Sequence, residues 1–165
     1  MCHKSCLEFV KNHISYDEIH NKKVIEIGSC NINGSVRPLI ETYDPYVYIG
    51  TDVEPGPGVD MVCNAENLLK KFEKESFDVI ISTEVLEHIK DWKKAISNIK
   101  NLCKKGGIII ITTRSVGYPY HFIPYDFWRY DIDDMKQIFN DCEISIAEND
   151  RDLPVNAFES FPGGG

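Results

Sequence analysis

The sequence has no long hydrophobic run. Its longest, residues 108–111, contains four isoleucines, whereas a helix that crosses a membrane needs roughly 20 apolar residues. The first six residues, MCHKSC, lead into no uninterrupted apolar stretch with a small-residue cleavage site of the kind that defines a signal peptide. We therefore predict a cytoplasmic protein with no membrane segment.

Basic residues are scarce. The chain of 165 residues has 18 Lys and Arg against 26 Asp and Glu, which gives a net charge of -8. A surface that binds nucleic acid broadly requires an excess of positive charge. The composition therefore argues against a broad nucleic-acid surface and presents no obstacle to a small-molecule substrate.

Cysteine pairs of the kind that bind metals are also missing. The six cysteines form no Cys-x2-Cys pair, and no later Cys/His pair completes a zinc site with Cys2, His3 and Cys6. In a reducing compartment these cysteines would stay thiols and pack as small apolar side chains. No metal site is predicted.

Short apolar runs alternate with stretches of helical spacing, and Gly, Pro, Asn or Asp stands at nearly every junction. This alternation is typical of an α/β fold with a doubly wound, mostly parallel sheet. One domain is expected over residues 1–165, with an N-terminal helix or lid (1–21), a core (22–147) and a tail (148–165). Strands are predicted at 23–27, 47–52, 59–62, 77–82, 108–113 and 143–147, and helices at 7–14, 36–43, 92–102 and 132–139.

Two details of the fifth predicted strand follow from its sequence. Gly106 and Gly107 precede it and would supply the backbone freedom that ends the preceding helix. Its unbroken apolar run is typical of a central parallel strand that is covered on both faces.

The turn after the first strand, residues 26–34 (EIGSCNING), contains Gly28 and Gly34 and opens a helix. Glycines let the backbone approach a ligand, and a helix N-terminus offers main-chain amide donors. The turn lacks the full GxGxxG pattern of nicotinamide enzymes, so a plain strand-to-helix connection is an equal alternative.

Acidic and amide side chains follow the next two strands. Asp52 ends the second strand, about two dozen residues after Gly28, where a carboxylate can accept hydrogen bonds from both ribose hydroxyls and disfavours a 2'-phosphate. Asn64 and Ala65 follow the third strand and can meet the edge of an adenine. Asn64 can equally cap the helix that follows, and the two roles are compatible.

Successive motifs of the chain, in this order and spacing, resemble those of a known family. They comprise Glu26-Ile27-Gly28 with Gly34, Asp52, Asn64-Ala65-Glu66, residues 77–88 (FDVIISTEVLEH) and residues 102–107 (LCKKGG). Over residues 22–147 the chain resembles the class I S-adenosylmethionine-dependent methyltransferases, and in particular the methyltransferase type 11 domain family. Residues 124–130, PYDFWRY, are similar to a Pro-x-Asp-Phe-Trp-Arg segment of one branch of that family.

The resemblance implies a Rossmann-like methyltransferase fold and methyl transfer to an unidentified small molecule, with S-adenosylmethionine as cofactor and S-adenosylhomocysteine as product. It implies that Glu26 and Gly28 border the methionine moiety, that Asp52 holds the ribose, and that Glu84 faces both the cofactor and the substrate cleft. The cofactor site as a whole is expected to contain Glu26, Gly28, Cys30, Gly34, Asp52, Val53, Asn64, Ala65 and Glu84.

The chain departs from the family pattern at Cys30, at Asn64, where many members carry Asp, at Lys105, where a proline is common, and at the end of its sheet. Cys30 replaces a glycine, which would narrow the cofactor pocket. The family fold also has a seventh, antiparallel strand, for which the end of the chain is a poor candidate because Pro154 cannot donate to a strand ladder. Either the chain is truncated or the sheet is incomplete, and an unpaired edge on the fifth strand would need a cover such as a homodimer.

Three side chains are candidates for catalysis: His121, Glu84 and His88. His121 lies in an aromatic-rich loop after the fifth strand and is expected to act as a base or to contact the substrate. The alternative is a loop histidine bonded to the backbone. His88 follows Glu87, and for it a structural bond that fixes the turn competes with catalysis.

Other interpretations stay open. Arg129 either binds a substrate carboxylate or phosphate or pairs with Asp126 or Asp131. The whole protein could be a non-catalytic module that kept the fold and cofactor binding. A nicotinamide oxidoreductase of related fold is disfavoured, because the GxGxxG pattern is absent and residues 84–88 fit the methyltransferase pattern better.

Overall fold

A computed structural model describes residues 4–120 and 125–148 of the chain. The described residues group into two units. The first consists of residues 4–85 and 91–112, and the second of residues 86–90, 113–120 and 125–148. None of the helices in these ranges is long and apolar enough to cross a membrane.

The first unit contains a five-stranded parallel sheet. Its strands are β1 (Lys23–Ile27), β2 (Val47–Asp52), β3 (Met61–Val62), β4 (Phe77–Thr83) and β5 (Cys103–Thr112). They lie in the order β3-β2-β1-β4-β5 and all pair in parallel. The chain starts at β1, runs outward to β3 and then returns to β4, so the strand order reverses beside β1. The predicted doubly wound α/β fold is confirmed, and its switch point lies at the carboxyl ends of β1 and β4.

Four helices accompany this sheet: α1 (Lys4–His13), α2 (Tyr16–Ile19), α3 (Arg37–Glu41) and α4 (Trp92–Leu102). In α4 the apolar spacing that predicted the helix buries Ala95, Ile96, Ile99 and Leu102, and the side chain of Asp91 caps its first turn by accepting from the Lys94 amide. Pro38 stands in the first turn of α3, where its missing amide hydrogen costs nothing.

The N-terminal helix α1 is a packing element of this unit. Cys6, Val10 and Ile14 join Val24 of β1 and Ile40 of α3 in one buried cluster. Cys6 and Cys63 are both buried, as expected for cysteines that pack as small apolar side chains.

Two expectations for β5 are wrong. The strand already begins at Cys103, directly after α4, so Gly106 and Gly107 lie inside it and form a bulge: Phe77 pairs with Cys103, but Val79 pairs with Ile108. A positive φ of 74° at Gly106 permits this detour. Within the described residues β5 pairs with β4 alone. It is therefore an edge strand there and not the central strand that its apolar run suggested.

The second unit contains a 3₁₀ turn (Leu86–His88) and α5 (Ile132–Ile138). Asp131 and Asp134 form a capping box at the start of α5, which explains why the helix begins where it was predicted. Residues 143–148 form no strand, so the predicted sixth strand is wrong. Ile144 and Ile146 alternate as strand residues do, but they are 39% and 44% exposed, and burial of one face is what would fix a strand register.

Candidate cofactor site

The carboxyl end of β1 turns sharply at Gly28. This residue has a φ of 82°, and a Cβ atom built on it would overlap the Cγ2 atom of Val85, which follows β4. Glycine is therefore required here both by the backbone conformation and by the space between β1 and β4. Packing fixes the turn, and the prediction that a glycine here permits a positive φ is confirmed.

The main-chain amides of this turn do not remain available to a ligand. Gly28 and Ser29 both donate to the carbonyl of Thr51, at 2.8 and 3.0 Å, and Asn31 donates to the carbonyl of Pro57 at 2.8 Å. Cys30 donates to Oδ2 of Asp52 at 2.9 Å. For residues 28–31 the expectation of free amide donors is therefore wrong, because Thr51 and Asp52 at the end of β2 and Pro57 after it accept their hydrogen bonds.

Asp52 closes β2 beside this turn with an oriented carboxylate. Its Oδ2 accepts from the Cys30 amide at 2.9 Å, and its Oδ1 accepts from the Val53 amide at 2.7 Å. Each carboxylate oxygen has two lone pairs, so both oxygens can accept one more hydrogen bond from a ligand. Asp52 is half-buried and Val53 next to it is 55% exposed. The two positions therefore present an acceptor and an apolar side chain to solvent.

Glu26 is a buried carboxylate on β1. It is 2% exposed, and the Tyr48 hydroxyl on β2 donates to its Oε2 at 2.5 Å. Burial raises the pKa of Glu26 to about 7, although the bond from Tyr48 and the charge of Arg37 lower it, and the charge of Asp52 raises it further. The carboxylate therefore changes its charge near neutral pH.

Asn64 and Ala65 lie after β3 as predicted. The Asn64 Oδ1 caps the following 3₁₀ turn, Ala65–Lys70, by accepting from the Glu66 amide at 2.8 Å. The predicted capping role is therefore confirmed, and the exposed side chain keeps its amide NH₂ for other bonds. Ala65 is buried, and its carbonyl accepts from the Asn98 side chain at 2.8 Å.

Glu84 directly follows β4 in an unusual backbone conformation. Its φ is 56°, in the left-handed region that glutamate rarely adopts, and its side chain is buried. The Glu84 amide donates to the Thr112 carbonyl of β5 at 2.9 Å, which holds the residue in this conformation. A non-glycine residue kept in such a conformation is a feature of functional sites.

The other catalytic candidates belong to the second unit. His88 donates through Nδ1 to the Tyr125 carbonyl, so the structural bond that was weighed against catalysis is present. The neighbouring residue, Glu87, is fully buried. Its Oε2 accepts from the Thr113 hydroxyl at 3.0 Å, and its Oε1 lies 4.0 Å from the Arg114 Nε. His121 lies outside the described residues.

Arg129 forms the ion pair that was weighed against substrate binding. Its guanidinium binds both carboxylate oxygens of Asp126, with 2.7 Å between Nη2 and Oδ2. It also donates to the carbonyls of Tyr118 and Pro119, at 3.0 and 2.6 Å. Arg129 therefore ties its own loop together, and Asp126 is its partner rather than Asp131.

Two residues around the site were missed by sequence reasoning: Tyr48 and Arg37. The Arg37 guanidinium lies over the Tyr48 ring, 4.7 Å from its centroid. A signal for Tyr48 was present, since Gly50 pairs with Glu26, and period two along β2 places Tyr48 on the same face. Arg37 lies on a helix, and no local pattern indicated which strand residue it would contact.

The chemistry of these side chains fits S-adenosylmethionine. Its ribose has two hydroxyl donors and its methionine moiety a cationic ammonium group, and Asp52 and Glu26 are carboxylate acceptors in the first unit. No phosphate has to be bound, which agrees with a turn whose amides are already bonded. In the part of the chain that is described, no cluster of three His, Cys, Asp or Glu side chains could hold a metal ion.

Known proteins are similar to this chain over much of its length. It is 31% identical over 135 residues to phosphoethanolamine N-methyltransferase 1 of Triticum aestivum, covering 70% of this chain and 26% of that protein. It is 30% identical over 107 residues to a phthiotriol/phenolphthiotriol dimycocerosates methyltransferase of Mycobacterium ulcerans, covering 58% of this chain and 38% of that protein. The chain thus spans well under half the length of these two relatives.

Solved structures share the fold. The YcgJ protein of Bacillus subtilis superposes with a TM-score of 0.62 at 18% identity, covering 84% of this chain and 68% of that one. Phosphoethanolamine N-methyltransferase 2 of Haemonchus contortus, solved with S-adenosyl-L-methionine, gives 0.61 at 20% identity, covering 83% and 36%. The sequence pattern that defines the methyltransferase domain family matches residues 28–111, which is half of the chain. With its parallel sheet and strand order, the chain belongs to the methyltransferase domain family, within the class I S-adenosylmethionine-dependent methyltransferases.

Proposed function

We propose that this protein transfers a methyl group from S-adenosylmethionine to a small-molecule acceptor by in-line displacement. The observation that carries the proposal is the pair of carboxylates on neighbouring parallel strands, Glu26 on β1 and Asp52 at the end of β2. When bound, the cofactor supplies a methyl group activated by a sulfonium centre.

Each carboxylate has its own task in this proposal. Asp52, which the Cys30 and Val53 amides hold in place, accepts hydrogen bonds from the ribose. Glu26, buried and ionisable near neutral pH, receives the ammonium of the methionine moiety. Asn64 uses the NH₂ that its capping bond leaves available to meet the adenine.

The bonded turn favours a sulfonium nucleoside over a nicotinamide dinucleotide. A dinucleotide places its pyrophosphate on main-chain amides at this position of the fold. Here the amides of Gly28, Ser29, Cys30 and Asn31 already donate to protein acceptors. A pyrophosphate would have to displace these bonds and would meet the negative charge of Asp52, whereas a cation is attracted to that charge.

Methyl transfer from a sulfonium disperses charge, so the protein mainly positions the acceptor. A hydroxyl acceptor also needs a base. We assign that role to His121 or to Glu84. Glu84 directly follows β4, has a left-handed backbone conformation and has a buried side chain. His88 fixes the turn through its bond to Tyr125. The two curated relatives are named for small molecules, phosphoethanolamine and phthiotriol lipids, which supports a small-molecule acceptor.

Isothermal titration with S-adenosylmethionine, S-adenosylhomocysteine and NAD tests this proposal. We expect both sulfur compounds to bind and NAD not to bind, and a methylation screen of cell metabolites should then reveal the acceptor. Binding of NAD alone would overturn the assignment. Binding of the cofactor with no methylation of any acceptor would indicate the alternative, a non-catalytic module that retained the fold.

A further inference from the structure

The carboxylate of Glu26 has a single donor among the described residues, and that donor is Tyr48 on the neighbouring strand. The Tyr48 hydroxyl is 2.5 Å from Oε2. Because Glu26 pairs with Gly50, Tyr48 occupies the diagonal position on the same face of the sheet, within reach of a long side chain. The bond fixes Oε2, and no described residue donates a hydrogen bond to Oε1.

Tyr48 is in turn held by Arg37. The guanidinium lies over the tyrosine ring, 4.7 Å from its centroid. Three protein acceptors anchor the guanidinium, namely Glu41 at 2.9 Å, Asp60 at 2.7 Å and the Gly58 carbonyl at 3.1 Å. A tyrosine ring under an anchored cation has little freedom to turn away from Glu26.

Tyr48 and Arg37 together affect the charge of the Glu26 carboxylate. Among described residues, Tyr48 and Arg37 favour the ionised carboxylate, whereas burial and the charge of Asp52 oppose it. Burial and the charge of Glu26 raise the pKa of Tyr48 far above its ordinary value, so the hydroxyl keeps its proton and acts as a donor. Burial without the Tyr48 bond would favour neutral Glu26, which attracts an ammonium group far less.

We propose that Tyr48, held by Arg37, is a positioning residue that presents the Glu26 carboxylate to the ammonium group of the methionine moiety. This rests on the proposed function, because the ammonium group belongs to the cofactor. Tyr48 acts through Glu26 and is not itself assigned a contact with the ligand.

The test is the pH dependence of S-adenosylhomocysteine binding to Tyr48→Phe, measured by isothermal titration between pH 6.5 and 9. Loss of the bond should raise the pKa of Glu26 by about one unit. Affinity should then fall about tenfold relative to wild type at pH 6.5 and by less than about twofold at pH 9. Tyr46→Phe is the matched control: Tyr46 is 67% exposed, and its removed hydroxyl should leave the profile unchanged.

Two further measurements test the roles of Tyr48 and Arg37. The titration of Glu26, followed by carbon NMR in the ligand-free protein, should move to higher pH in Tyr48→Phe. Arg37→Lys, which keeps the charge but loses the planar anchored guanidinium, should shift the binding profile in the same direction by a smaller amount.

The outcomes separate this inference from the function on which it rests. If wild type binds S-adenosylhomocysteine and Tyr48→Phe reproduces both its pH profile and its Glu26 titration, the positioning role is overturned and the proposed function stands. If wild type fails to bind at any pH, the proposed function is overturned and the positioning role with it.

Discussion

At the scale of single residues, carboxylates are the proposed ligand-binding groups, and Gly28 sets the geometry of the turn after β1. Asp52 shows the distinction. Its oxygens accept from the Cys30 and Val53 amides, so the side chain that we propose as the ribose acceptor also shapes the turn. Substitutions at Asp52 therefore remove an acceptor of the turn together with the proposed ribose acceptor.

Asp52→Ala should weaken S-adenosylhomocysteine binding by about 1 to 3 kcal/mol, because it removes the proposed acceptor of the ribose hydroxyls. Titration calorimetry measures the loss. Glu54→Ala is the control, since Glu54 is an exposed acid in the same segment and its removal changes the net charge equally. Equal affinities for wild type and Asp52→Ala would place the ribose elsewhere.

Gly28 is a packing residue as well as a proposed binding residue. From the sequence alone, Gly28→Val is expected to block the cofactor and leave the protein folded. The overlap with Val85 and the φ of 82° indicate instead that a larger residue destabilises the fold. Gly28→Ala should lower the free energy of unfolding by about 2 to 4 kcal/mol, from positive φ and overpacking together. Urea unfolding measures this.

Val85→Ala should restore part of the stability that Gly28→Ala loses, because it removes the atom that the new Cβ would meet. The share due to positive φ should remain. A double mutant whose loss equals the sum of the two single losses would show that Val85 does not restrict this turn.

At position 84 we expect glycine to give a more stable protein than alanine, which is the reverse of the usual order. Because its φ is 56°, Glu84→Gly should be more stable than Glu84→Ala by about 1 kcal/mol, whereas glycine is ordinarily the less stable of the two. Thermal unfolding of the two variants, compared side by side, measures the difference. The opposite order would mean that the left-handed conformation is absent in solution.

At the scale of elements, strands β1, β2 and β4 and helices α4 and α5 could be predicted because each carries its own signal: a β-branched run, an apolar stripe or a capping residue. The position and the start of β5 could not be predicted. Its place at the edge depends on which strands pair with it, and its early start depends on a bulge. The apolar run of residues 108–111 indicates neither.

The bulge in β5 gives a prediction at this scale. A Cβ on Gly107 would lie 2.7 Å from the Asp78 carbonyl and 2.7 Å from the Cys103 Sγ, whereas a Cβ on Gly106 meets nothing within 4 Å. Gly107→Ala should therefore lower the free energy of unfolding by about 1 to 3 kcal/mol through crowding. Gly106→Ala should cost about 1 kcal/mol, from its φ of 74° alone. Equal losses in chemical unfolding would argue against the bulge.

At the scale of the whole molecule, buried Glu26 links stability to pH. Its pKa in the folded chain is about 7, against an ordinary value of 4.5, so between these values the folded state holds a proton that the unfolded state has released. Stability should therefore fall as pH rises through this window, by at most about 1.4 kcal/mol per unit. The pKa values of Asp60 and Asp78 are lowered, so their contributions are lost only in more acidic solution.

Glu26→Gln removes this titration and should flatten the decline in unfolding free energy between pH 5 and 7, measured by urea unfolding without ligand. Parallel curves for wild type and the variant would show that Glu26 does not carry a raised pKa.

The site was partly predictable for a reason that applies to the whole fold. Parallel strands bring their carboxyl ends to one edge, so residues after β1 and β2 could be assigned to a site from the strand pattern alone. Contacts between segments that lie far apart in the sequence could not, namely the stack of Arg37 on Tyr48 and the bonds that residues 51–57 accept from the amides of residues 28–31.

A crystal structure with S-adenosylhomocysteine tests the proposed cofactor site most directly. We predict the ribose hydroxyls within hydrogen-bond distance of the Asp52 carboxylate, and the ammonium group of the ligand at Glu26. A nucleoside bound elsewhere, for example in the groove lined by Asp17, Lys22 and Lys104, with Glu26 and Asp52 untouched, would contradict it.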